Sequence, residues 1–500
     1  MAVQGGARSP AQSLAVIDCG SNSFRLVVFT YTDAWWKRTD EIHESVRVGE
    51  GLEATGSLQP APMERALETL ELYAHFCAAT GIEDIRPVAT SAIRDAANQA
   101  DFLARARERS GLEVEVLSGP DEARYGYLAA INSTTLTDGV VLDLGGGSMQ
   151  LTRVVDREAA DFRSWPLGAV RMTERFEPGK KKNTKALRQH VAAELESAPW
   201  LGDGGRLVAV GGTSRNLAAA AQLAAGLPSY GIQGFRVTRD ALGELIEEFA
   251  SRTPAERAQV PGIKYSRGDL ILAGALVIDG VMEAGGFDAF EATEAGLREG
   301  VFFERLGLAD DVRSAAVRNL AAQFHADFAH TDHVARLSLE LWDALGAAGL
   351  HDADPEEREL LWATAVLHDI GVAVDYDDHH KHSRYLILNA GLPGFTPRET
   401  ALIGQAARYH RKGNPGLGEF SAVARKGDQE LLNRIAATVR IAEQLERSRD
   451  QSVRSCDVTV DNGRVSLKLD AAEDVSVARW ATERQGDVFK RAFGRDLNVT

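Results

Sequence analysis

The sequence has few cysteines, no long hydrophobic run and no excess of positive charge. Its three cysteines (Cys19, Cys77 and Cys456) lie far apart and form no CxxC pair. This pattern excludes a disulfide framework and a zinc ribbon, and it favours a reducing compartment. The apolar runs are far shorter than the ~20 residues that a membrane span needs, and the first residues contain no signal-peptide core. We therefore expect a soluble, cytoplasmic protein with no membrane partner.

The formal net charge is −16 at pH 7. This charge argues against specific nucleic-acid binding, because that function needs a basic face, but a polyanionic substrate held by a few local donors is compatible with it. The composition is 44% hydrophobic and 26% charged, which excludes disorder or a coiled coil as descriptions of the whole chain. At 500 residues the chain exceeds what one hydrophobic core fills, so we expect several domains.

The alternation of strand-like and helix-like patterns predicts how the chain is divided. Strands alternate with helices in two successive blocks, which is typical of α/β layers. Helical spacing then dominates, in a region that holds most of the histidines. The last stretch restarts with a hairpin around Asp461-Asn462-Gly463 and ends in one helix over 475–493. The predicted segments are a flexible N-terminal tail (1–13), two α/β domains (14–130 and 131–310), an all-α domain (311–452) and a small α+β domain (453–500).

Two glycine-rich turns repeat one another in the two α/β blocks. Asp18–Leu26 and Asp143–Leu151 share the pattern D-x-G-x-x-S-x-x-L, and each lies between two strand-like runs. Glycine lets the backbone approach a phosphate closely, and successive N–H groups form an anion-binding nest. An Asp at such a strand end suits Mg²⁺. A single turn of this kind is more often only a tight turn, but the repeat indicates a phosphate-binding cleft between two related domains.

A third glycine turn, Gly211–Ser214, follows a predicted strand and opens a helix, where anions are favoured. The clearest basic run is Lys180–Lys182. It is compatible with a solvated loop or with a tether for a long polyanion.

These motifs resemble the exopolyphosphatase/guanosine pentaphosphate phosphatase family, within the actin–sugar kinase–heat-shock ATPase superfold. The resemblance extends over nearly the full length. The segments that carry it are AVIDCGSNSFRLVVF (15–29), VATSAIRDA (88–96), LSGPDEARYGYLA (117–129), VVLDLGGGSMQL (140–151), AVGGTSRNLA (209–218), YSRGDLILAGA (265–275), EATEAGLREGVFFE (291–304) and a helical region containing LHDIG and RYHRK (361–412).

The resemblance implies two actin-like (ribonuclease H-like) domains, an HD-like helical domain and a small α+β C-terminal domain. It implies a Mg²⁺-dependent hydrolase that removes the terminal phosphate from inorganic polyphosphate, and a homodimer. Guanosine pentaphosphate is the alternative substrate, because the same turns would bind either polyanion. The long helical extension favours polyphosphate, since a long substrate gains from a long channel.

The resemblance also implies roles for individual residues. Glu122 matches the catalytic Glu that orients or deprotonates the attacking water; by spacing alone it would merely place negative charge in the first turn of a helix. Asp143 matches the Mg²⁺ carboxylate, and Asp18 is a second contributor. Arg94 matches a basic residue that meets the phosphate chain, or else it is a surface arginine at a helix start. The residues that would cradle phosphates are Ser21, Asn22, Ser23, Gly145, Gly146, Gly147, Ser148, Gly212 and Thr213.

One position departs from the family pattern. Gln150 stands where the family commonly has Glu. Gln can orient a water by hydrogen bonding, but it can neither act as a base nor carry charge to a metal. Related apyrases accept Gln at this position, so an active enzyme is still expected, with Gln150 orienting the water and Glu122 as the base. The substitution also leaves open a non-enzymatic phosphate or nucleotide sensor.

The helical domain resembles an HD-type phosphohydrolase. This resemblance implies a second divalent metal held by His333, His368, Asp369 and Glu443, because imidazole and carboxylate ligands suit a transition metal. The alternative is a domain without metal that serves substrate binding or dimer contact. A further alternative places the hydrolytic chemistry itself in this domain.

Overall fold

The computed structural model describes residues 10–203, 205–228, 231–461, 463–471 and 474–500. The chain divides into two compact units, one ending at Val312 and the other beginning at Arg313. None of the helices in these ranges combines the length and the apolar character that a bilayer crossing requires. Each unit is described separately below.

The first α/β domain contains a five-stranded sheet in the order β3-β2-β1-β4-β5. Strand β2 pairs antiparallel with both β1 and β3, whereas β4 pairs in parallel with β1, and β5 in parallel with β4. The elements are β1 (Gln12–Cys19), β2 (Phe24–Tyr31), β3 (Trp36–Glu44), α1 (Leu52–Thr55), α2 (Pro60–Thr80), β4 (Asp84–Ala89), α3 (Ser91–Arg94), α4 (Gln99–Ser110), β5 (Glu115–Val116) and α5 (Gly119–Ile131).

The second α/β domain contains a six-stranded sheet in the order β10-β11-β9-β6-β7-β8. The elements are β6 (Gly139–Leu144), β7 (Met149–Val155), β8 (Glu158–Trp165), α6 (Ala169–Phe176), α7 (Lys181–Leu195), β9 (Arg206–Val210), α8 (Gly212–Ala224), β10 (Arg236–Thr238), α9 (Arg239–Ala250), α10 (Pro254–Arg257), α11 (Ile271–Gly285), β11 (Ala289–Ala292) and α12 (Leu297–Leu306). Lys181 and Lys182 of the basic run begin helix α7 and are exposed.

The two sheets share one plan. In each, an antiparallel meander (β1-β2-β3 or β6-β7-β8) continues through its first strand into parallel strands (β4-β5 or β9-β11). Each domain has its own apolar core, and a further cluster that includes Val16, Val141 and Phe302 fills the space between the two sheets. This arrangement confirms the predicted pair of α/β domains. Strand β1 starts at Gln12, so the chain is ordered into a sheet earlier than the predicted 14, and residues 1–9 of the predicted tail lie outside the described residues.

The second unit is helical and ends in a small sheet. Strands β12 and β13 form an antiparallel hairpin, and β14 adds to β13 in parallel. The elements are α13 (Val312–Gln323), α14 (Phe328–Ala347), α15 (Pro355–Leu367), α16 (His379–Ala390), α17 (Pro397–Tyr409), α18 (Asp428–Leu445), β12 (Val453–Asp461), β13 (Arg464–Ala471), α19 (Ser476–Glu483), α20 (Gly486–Phe493) and β14 (Asp496–Val499).

The C-terminal segment shares one hydrophobic core with the helices. Val465 and Phe489 pack in the same apolar cluster as Leu432 and Trp342. The single helix predicted over 475–493 is wrong: the structure has two helices, and the second starts anew at Gly486, a poor helix former. The predicted hairpin is present, although Asn462 of its turn lies outside the described residues.

Candidate active site

A cleft lies between the two α/β domains of the first unit, at the ends of their central strands. It has about 830 Å³ of empty space, part of which is open to solvent. Both glycine turns that were identified in the sequence line it, together with the start of helix α8. The lining residues are Asp18, Gly20, Ser21, Asn22, Ser23, Arg25, Thr90, Glu122, Asp143, Leu144, Gly145, Gly146, Gln150, Ala169, Gly211, Gly212, Arg215, Arg267, Leu270, Gly296, Leu297 and Arg298.

The two turns have the same backbone hydrogen bond and contact each other. The N–H of Gly20 donates to the carbonyl oxygen of Ser23 at 3.2 Å, and the N–H of Gly145 donates to that of Ser148 at 3.0 Å. A Cβ on Gly146 would lie only 2.9 Å from the Cβ of Ser21. Glycine is therefore required at Gly146 by the close approach of the two domains, and the predicted repeat is a structural one.

Two half-buried carboxyl groups, Asp18 and Asp143, lie near the ends of strands β1 and β6 and line the cleft. Burial and the neighbouring Asp18 raise the pKa of Asp143 to about 7. Burial likewise raises the pKa of Asp18, against the opposing effect of Arg298 and Arg25. Carboxyl groups that are desolvated and close enough to repel one another favour a bound cation. An all-oxygen donor set of this kind fits Mg²⁺.

Glu122 lies in the first turn of helix α5, only 6% exposed. The helix begins at a capping box in which Ser118 and Asp121 bond each other's backbone, so the start of the helix is fixed. Nη1 of Arg94 donates to Oε2 of Glu122 at 2.5 Å. Burial nevertheless raises the pKa of Glu122 to about 7, with Asp143 and Asp18 adding to the rise and Arg94 opposing it. A carboxyl group with this pKa is suited to proton transfer near neutral pH.

Gln150, which belongs to the second α/β domain, donates a hydrogen bond to Glu122. It lies opposite Asp143 in the β6–β7 pair and is 2% exposed. Its Nε2 donates to Oε2 of Glu122 at 3.3 Å, to Oγ of Ser148 at 2.9 Å and to Oγ of Ser164 at 3.1 Å. The side chain that departs from the family pattern therefore acts as a hydrogen-bond donor to Glu122.

Four arginines that the sequence motifs did not predict as site residues line the cleft: Arg25, Arg215, Arg267 and Arg298. Arg298 is 3% exposed, and neither its Nε nor its Nη1 has a hydrogen-bond partner among the described residues. Burial and the charge of Arg298 lower the pKa of Arg215 to about 10, and burial and the charge of Arg25 lower that of Arg267 to about 10. These charges repel one another, which is the electrostatic condition of a site for a polyanion.

The signal for these arginines was present in the sequence. Each lies inside a segment that carries the family resemblance, within five residues of a glycine. Gly212 lies against Arg267, and a Cβ on Gly212 would displace the guanidinium of that arginine.

The structure brings most of the predicted cleft residues together. The carboxylates, Gln150 and six of the predicted phosphate-cradle residues (Ser21, Asn22, Ser23, Gly145, Gly146 and Gly212) line the cleft. The remaining four residues lie behind this surface. Arg94 is turned toward Glu122 and the carbonyl oxygen of Leu117, Gly147 packs on Ser91, Ser148 supports Gln150, and Thr213 packs against Gly274.

Comparison with known proteins identifies the family of the chain. The family model described as the Ppx/GppA phosphatase family matches residues 28–309. The chain belongs to this family. A second model, for Ppx/GppA phosphatase domain III, matches residues 312–482. Membership makes the chain a phosphoanhydride hydrolase.

Curated relatives and solved structures of the Ppx/GppA family extend the comparison. The chain is 28% identical to a guanosine-5'-triphosphate,3'-diphosphate pyrophosphatase of Vibrio campbellii and 27% identical to one of Vibrio vulnificus, in each case over 91% of this chain and 92% of the relative. A crystal structure of the Aquifex aeolicus family member has a TM-score of 0.52 at 28% identity, and an exopolyphosphatase-like protein has 0.55 at 27%. Both alignments cover 59% of this chain and 98% of the other.

Domain III of this Ppx/GppA chain contains a cluster of buried histidines, and His333, predicted as its first metal ligand, lies beside Val453 rather than beside Glu443. Nε2 of His333 bonds the carbonyl oxygen of Val453 at 2.9 Å. His330, one turn earlier on helix α14, instead meets Glu443, with 3.0 Å between Nε2 and Oε2. His368 also meets Glu443, at 3.3 Å between Nε2 and Oε2, and it is followed by Asp369. The structure therefore brings together three of the four residues that were predicted as ligands, and His330 rather than His333 lies beside them.

Proposed function

We propose that this chain is an exopolyphosphatase, which hydrolyses the terminal phosphoanhydride bond of inorganic polyphosphate with Mg²⁺ in the cleft. The observation that carries the proposal is the group of four arginines, above all Arg298. A buried guanidinium with two unpartnered nitrogens carries a large desolvation cost unless an anion completes its hydrogen bonds. Arg25, Arg215 and Arg267 add charge along the same cleft, as a chain of several phosphates would require.

The chain's own residues supply the other parts of the reaction. The ionised Glu122 takes a proton from a water molecule, whose oxygen forms a bond to the terminal phosphorus while the bond to the bridging oxygen breaks. The shortened polyphosphate leaves with the electron pair of that bond. Arg94 and Gln150 fix the Glu122 carboxylate from both domains. Mg²⁺ held by Asp18 and Asp143 would neutralise charge on the phosphates.

The lining of the cleft supports polyphosphate as the substrate. None of the described residues that line it is aromatic, although aromatic rings are a common platform for stacking a purine base. The glycine turns and arginines recognise phosphate oxygens irrespective of the group to which the phosphates are attached. A polymer of identical phosphates can engage these donors with every unit.

Guanosine pentaphosphate is the second candidate substrate, and the names of the two Vibrio relatives favour it. The same four arginines and glycine turns would hold its 5'-triphosphate. The two candidates therefore share Glu122 and differ only in what lies beyond the phosphates.

The decisive experiment measures phosphate release by the full chain with Mg²⁺ from long polyphosphate, tripolyphosphate and guanosine pentaphosphate. Long polyphosphate should be the best substrate by kcat/KM. Glu122→Gln, which keeps the shape of the side chain but removes the base, should lower kcat about a thousandfold. Glu158→Gln, at an exposed carboxylate on strand β8, is the matched control and should leave the rate unchanged.

Other outcomes identify the alternatives. A higher kcat/KM for guanosine pentaphosphate would assign the second candidate. Phosphate release that survives Glu122→Gln and disappears in His368→Ala would place the chemistry in domain III. Binding of these substrates without any phosphate release would identify a sensor.

A further inference from the structure

Helix α6 of the second α/β domain is hydrogen-bonded directly to that domain's glycine turn. The N–H of Ala169 donates to the carbonyl oxygen of Gly145 at 3.0 Å, and the N–H of Val170 donates to that of Gly146 at 2.8 Å. A Cβ on Gly168, the residue before the helix, would lie 2.3 Å from the carbonyl oxygen of Gly146. The position of the turn therefore fixes the position of the helix.

Arg171 extends from this helix to the first α/β domain. Its Nη2 donates to Oδ2 of Asp95 at 2.7 Å, and its Nη1 lies 3.6 Å from Oε2 of Glu53. The side chain of Arg171 is only 18% exposed, so solvent screens its ion pairs less than those of a surface arginine. Neither Arg171 nor Asp95 is among the described residues that line the cleft. Arg171 thus connects the two domains without facing the cleft.

Asp95 shares its carboxylate between two guanidinium groups. Its Oδ1 lies 3.4 Å from Nε of Arg94, and its Oδ2 accepts the hydrogen bond from Arg171. Asp95 directly follows the short helix α3, and its backbone N–H donates to the carbonyl oxygen of Ser91 at 2.9 Å. Each of the two α/β domains therefore engages one oxygen of this carboxylate.

Arg94 continues this series of contacts to the base. Its Nε faces Asp95, and its Nη1 donates to the carbonyl oxygen of Leu117 at 2.9 Å and to Oε2 of Glu122 at 2.5 Å. A guanidinium group is planar and rigid, so a contact on one of its sides fixes the direction of the other side. The contact with Asp95 thus sets the direction from which Arg94 meets Glu122.

We propose that Arg171 and Asp95 are positioning residues of the hydrolytic reaction. They hold Arg94, and through it they orient the carboxylate of Glu122 toward the attacking water. The inference rests on the proposed function, in which Glu122 is the base. Arg171 belongs to the domain opposite that base, so the base is oriented only when the two domains are seated on each other. Because helix α6 is bonded to the second glycine turn, the position of the bound phosphate and that of the base are linked.

The loss of the Arg171 charge should release the base from this arrangement. The Asp95 carboxylate would then take both of its hydrogen bonds from Arg94, because a carboxylate and a guanidinium pair preferentially in bidentate form. That pairing turns the guanidinium toward Asp95 and away from Glu122. A misplacement of about 1 Å costs about a hundredfold in rate, so a base that stays in the cleft with a looser orientation should lose about tenfold.

The test measures kcat and KM for phosphate release from long polyphosphate by the full chain with Mg²⁺. Arg171→Met, which removes the charge and keeps much of the volume, should lower kcat about tenfold and change KM less than twofold, because Arg171 acts on the base and not on the bound substrate. Arg171→Lys should stay within about threefold of the parent kcat, since an ammonium group can still donate to Asp95.

The same helix offers a matched control. Arg175 is exposed, and its Nη1 lies 3.3 Å from Nε2 of His190 within the second domain. Arg175→Met also removes one positive charge from helix α6, but it breaks no contact with the first domain. It should leave kcat and KM unchanged. An equal loss of kcat in Arg175→Met and Arg171→Met would overturn the proposal, because the loss would then follow from the charge of the helix.

A double variant separates positioning from a general effect on the contact between the domains. In a chain that already carries Arg94→Met, Arg171→Met should change kcat less than twofold, because two residues that act through one another are not additive. A further tenfold loss in that background would overturn the proposal, since Arg171 would then act by another route. A raised KM with unchanged kcat in Arg171→Met would also overturn it, because Arg171 would then contribute to substrate binding.

Glu122→Gln distinguishes a failure of this inference from a failure of the proposed function. Phosphate release that is lost in Glu122→Gln and retained at the parent kcat in Arg171→Met would overturn the positioning role and leave the proposed function intact. Release that survives Glu122→Gln would overturn both. Asp95→Asn removes the same pairing from the first domain and should lower kcat to the same extent, so it provides the test if Arg171→Met fails to fold.

Discussion

The glycine turns of the two α/β domains have the same backbone and carry different side chains at one equivalent position. Arg25 lies opposite Asp18 in the first domain, and Gln150 lies opposite Asp143 in the second. Both follow their Asp by seven residues. Arg25 adds a charge to the phosphate cleft, whereas Gln150 donates to Glu122. The repeated turn thus places a cation in the cleft in the first domain and a hydrogen-bond donor to Glu122 in the second. In the function we propose, the first holds substrate charge and the second holds the base.

The largest expected effect is the pH dependence of the unmodified chain. It reports on Glu122, the group to which Gln150 donates a hydrogen bond. Burial raises the pKa of Glu122 to about 7. The base is therefore protonated below that pH and ionised above it, so kcat/KM should fall with decreasing pH. A group with this pKa is about half ionised at pH 7 and about 1% ionised at pH 5, so we expect a loss of about fiftyfold between these two pH values. The measurement is a pH–rate profile of phosphate release.

That profile tests whether Glu122 is the base. A rate that stays flat down to pH 5 would mean that the group which takes the proton has an ordinary carboxyl pKa. Circular dichroism at each pH is the control for unfolding.

Replacing Arg25 by glutamine, the residue at the equivalent position of the second turn, should have the next largest effect on kcat/KM. Arg25→Gln removes one charge-assisted contact to phosphate, worth about 1.5–3 kcal/mol, so kcat/KM should fall about 10- to 100-fold. The KM for long polyphosphate should account for most of the loss. The measurement is steady-state kinetics, with Arg38→Gln at the exposed β3 position as control. An unchanged KM would remove Arg25 from the substrate site.

A change at Gln150, the equivalent position of the second turn, places a carboxyl group beside the base. In Gln150→Glu the donor to Oε2 of Glu122 becomes a second carboxyl, and like charges raise a carboxyl pKa. The acid limb of the pH–rate profile should move upward by about one unit, which lowers the ionised fraction of Glu122, and with it the activity, about fivefold at pH 7. Half-saturation by Mg²⁺ should occur at a lower concentration, because a further carboxylate faces the cation. Unchanged Mg²⁺ dependence and turnover would show that Gln150 does not influence this site.

The serines of the two turns should give the smallest and most specific contrast. Ser148→Ala removes a partner of Gln150, so it should lower kcat about fivefold, as expected for the loss of about 1 kcal/mol. Ser23→Ala, at the equivalent position and lining the cleft, should raise KM by a similar factor. Steady-state kinetics on tripolyphosphate separates the two effects. The same change in both variants would contradict the different roles of the turns.

Local patterns in the sequence predicted the two glycine turns that line the cleft, but they did not predict the four arginines that give it positive charge. The turns at Asp18 and Asp143 were predictable because their glycines, serines and flanking strands are neighbours along the chain. The four arginines come from four distant segments, and only the fold brings them together. The conspicuous Lys180–Lys182 run, by contrast, forms an exposed helix start outside the residues that line the cleft.

The histidine cluster shows a different limit of sequence reasoning. His330 and His333 lie three residues apart and therefore share one face of helix α14. Their spacing cannot decide which of them reaches Glu443, because that depends on the rotation of the helix about its axis in the packed core. The break between α19 and α20 was missed for a similar reason, since the apolar spacing continues through it.

Three helices, α5, α8 and α12, begin at the cleft, where Glu122, Gly212 and Leu297 lie. Each helix start carries a partial positive charge, and this field adds to that of the arginines within the ~8 Å over which charge acts at physiological ionic strength. At larger distances a polyanion meets a chain with a net charge of −16. Moderate salt should thus accelerate substrate capture by screening long-range repulsion, and high salt should slow it by weakening the attraction inside the cleft.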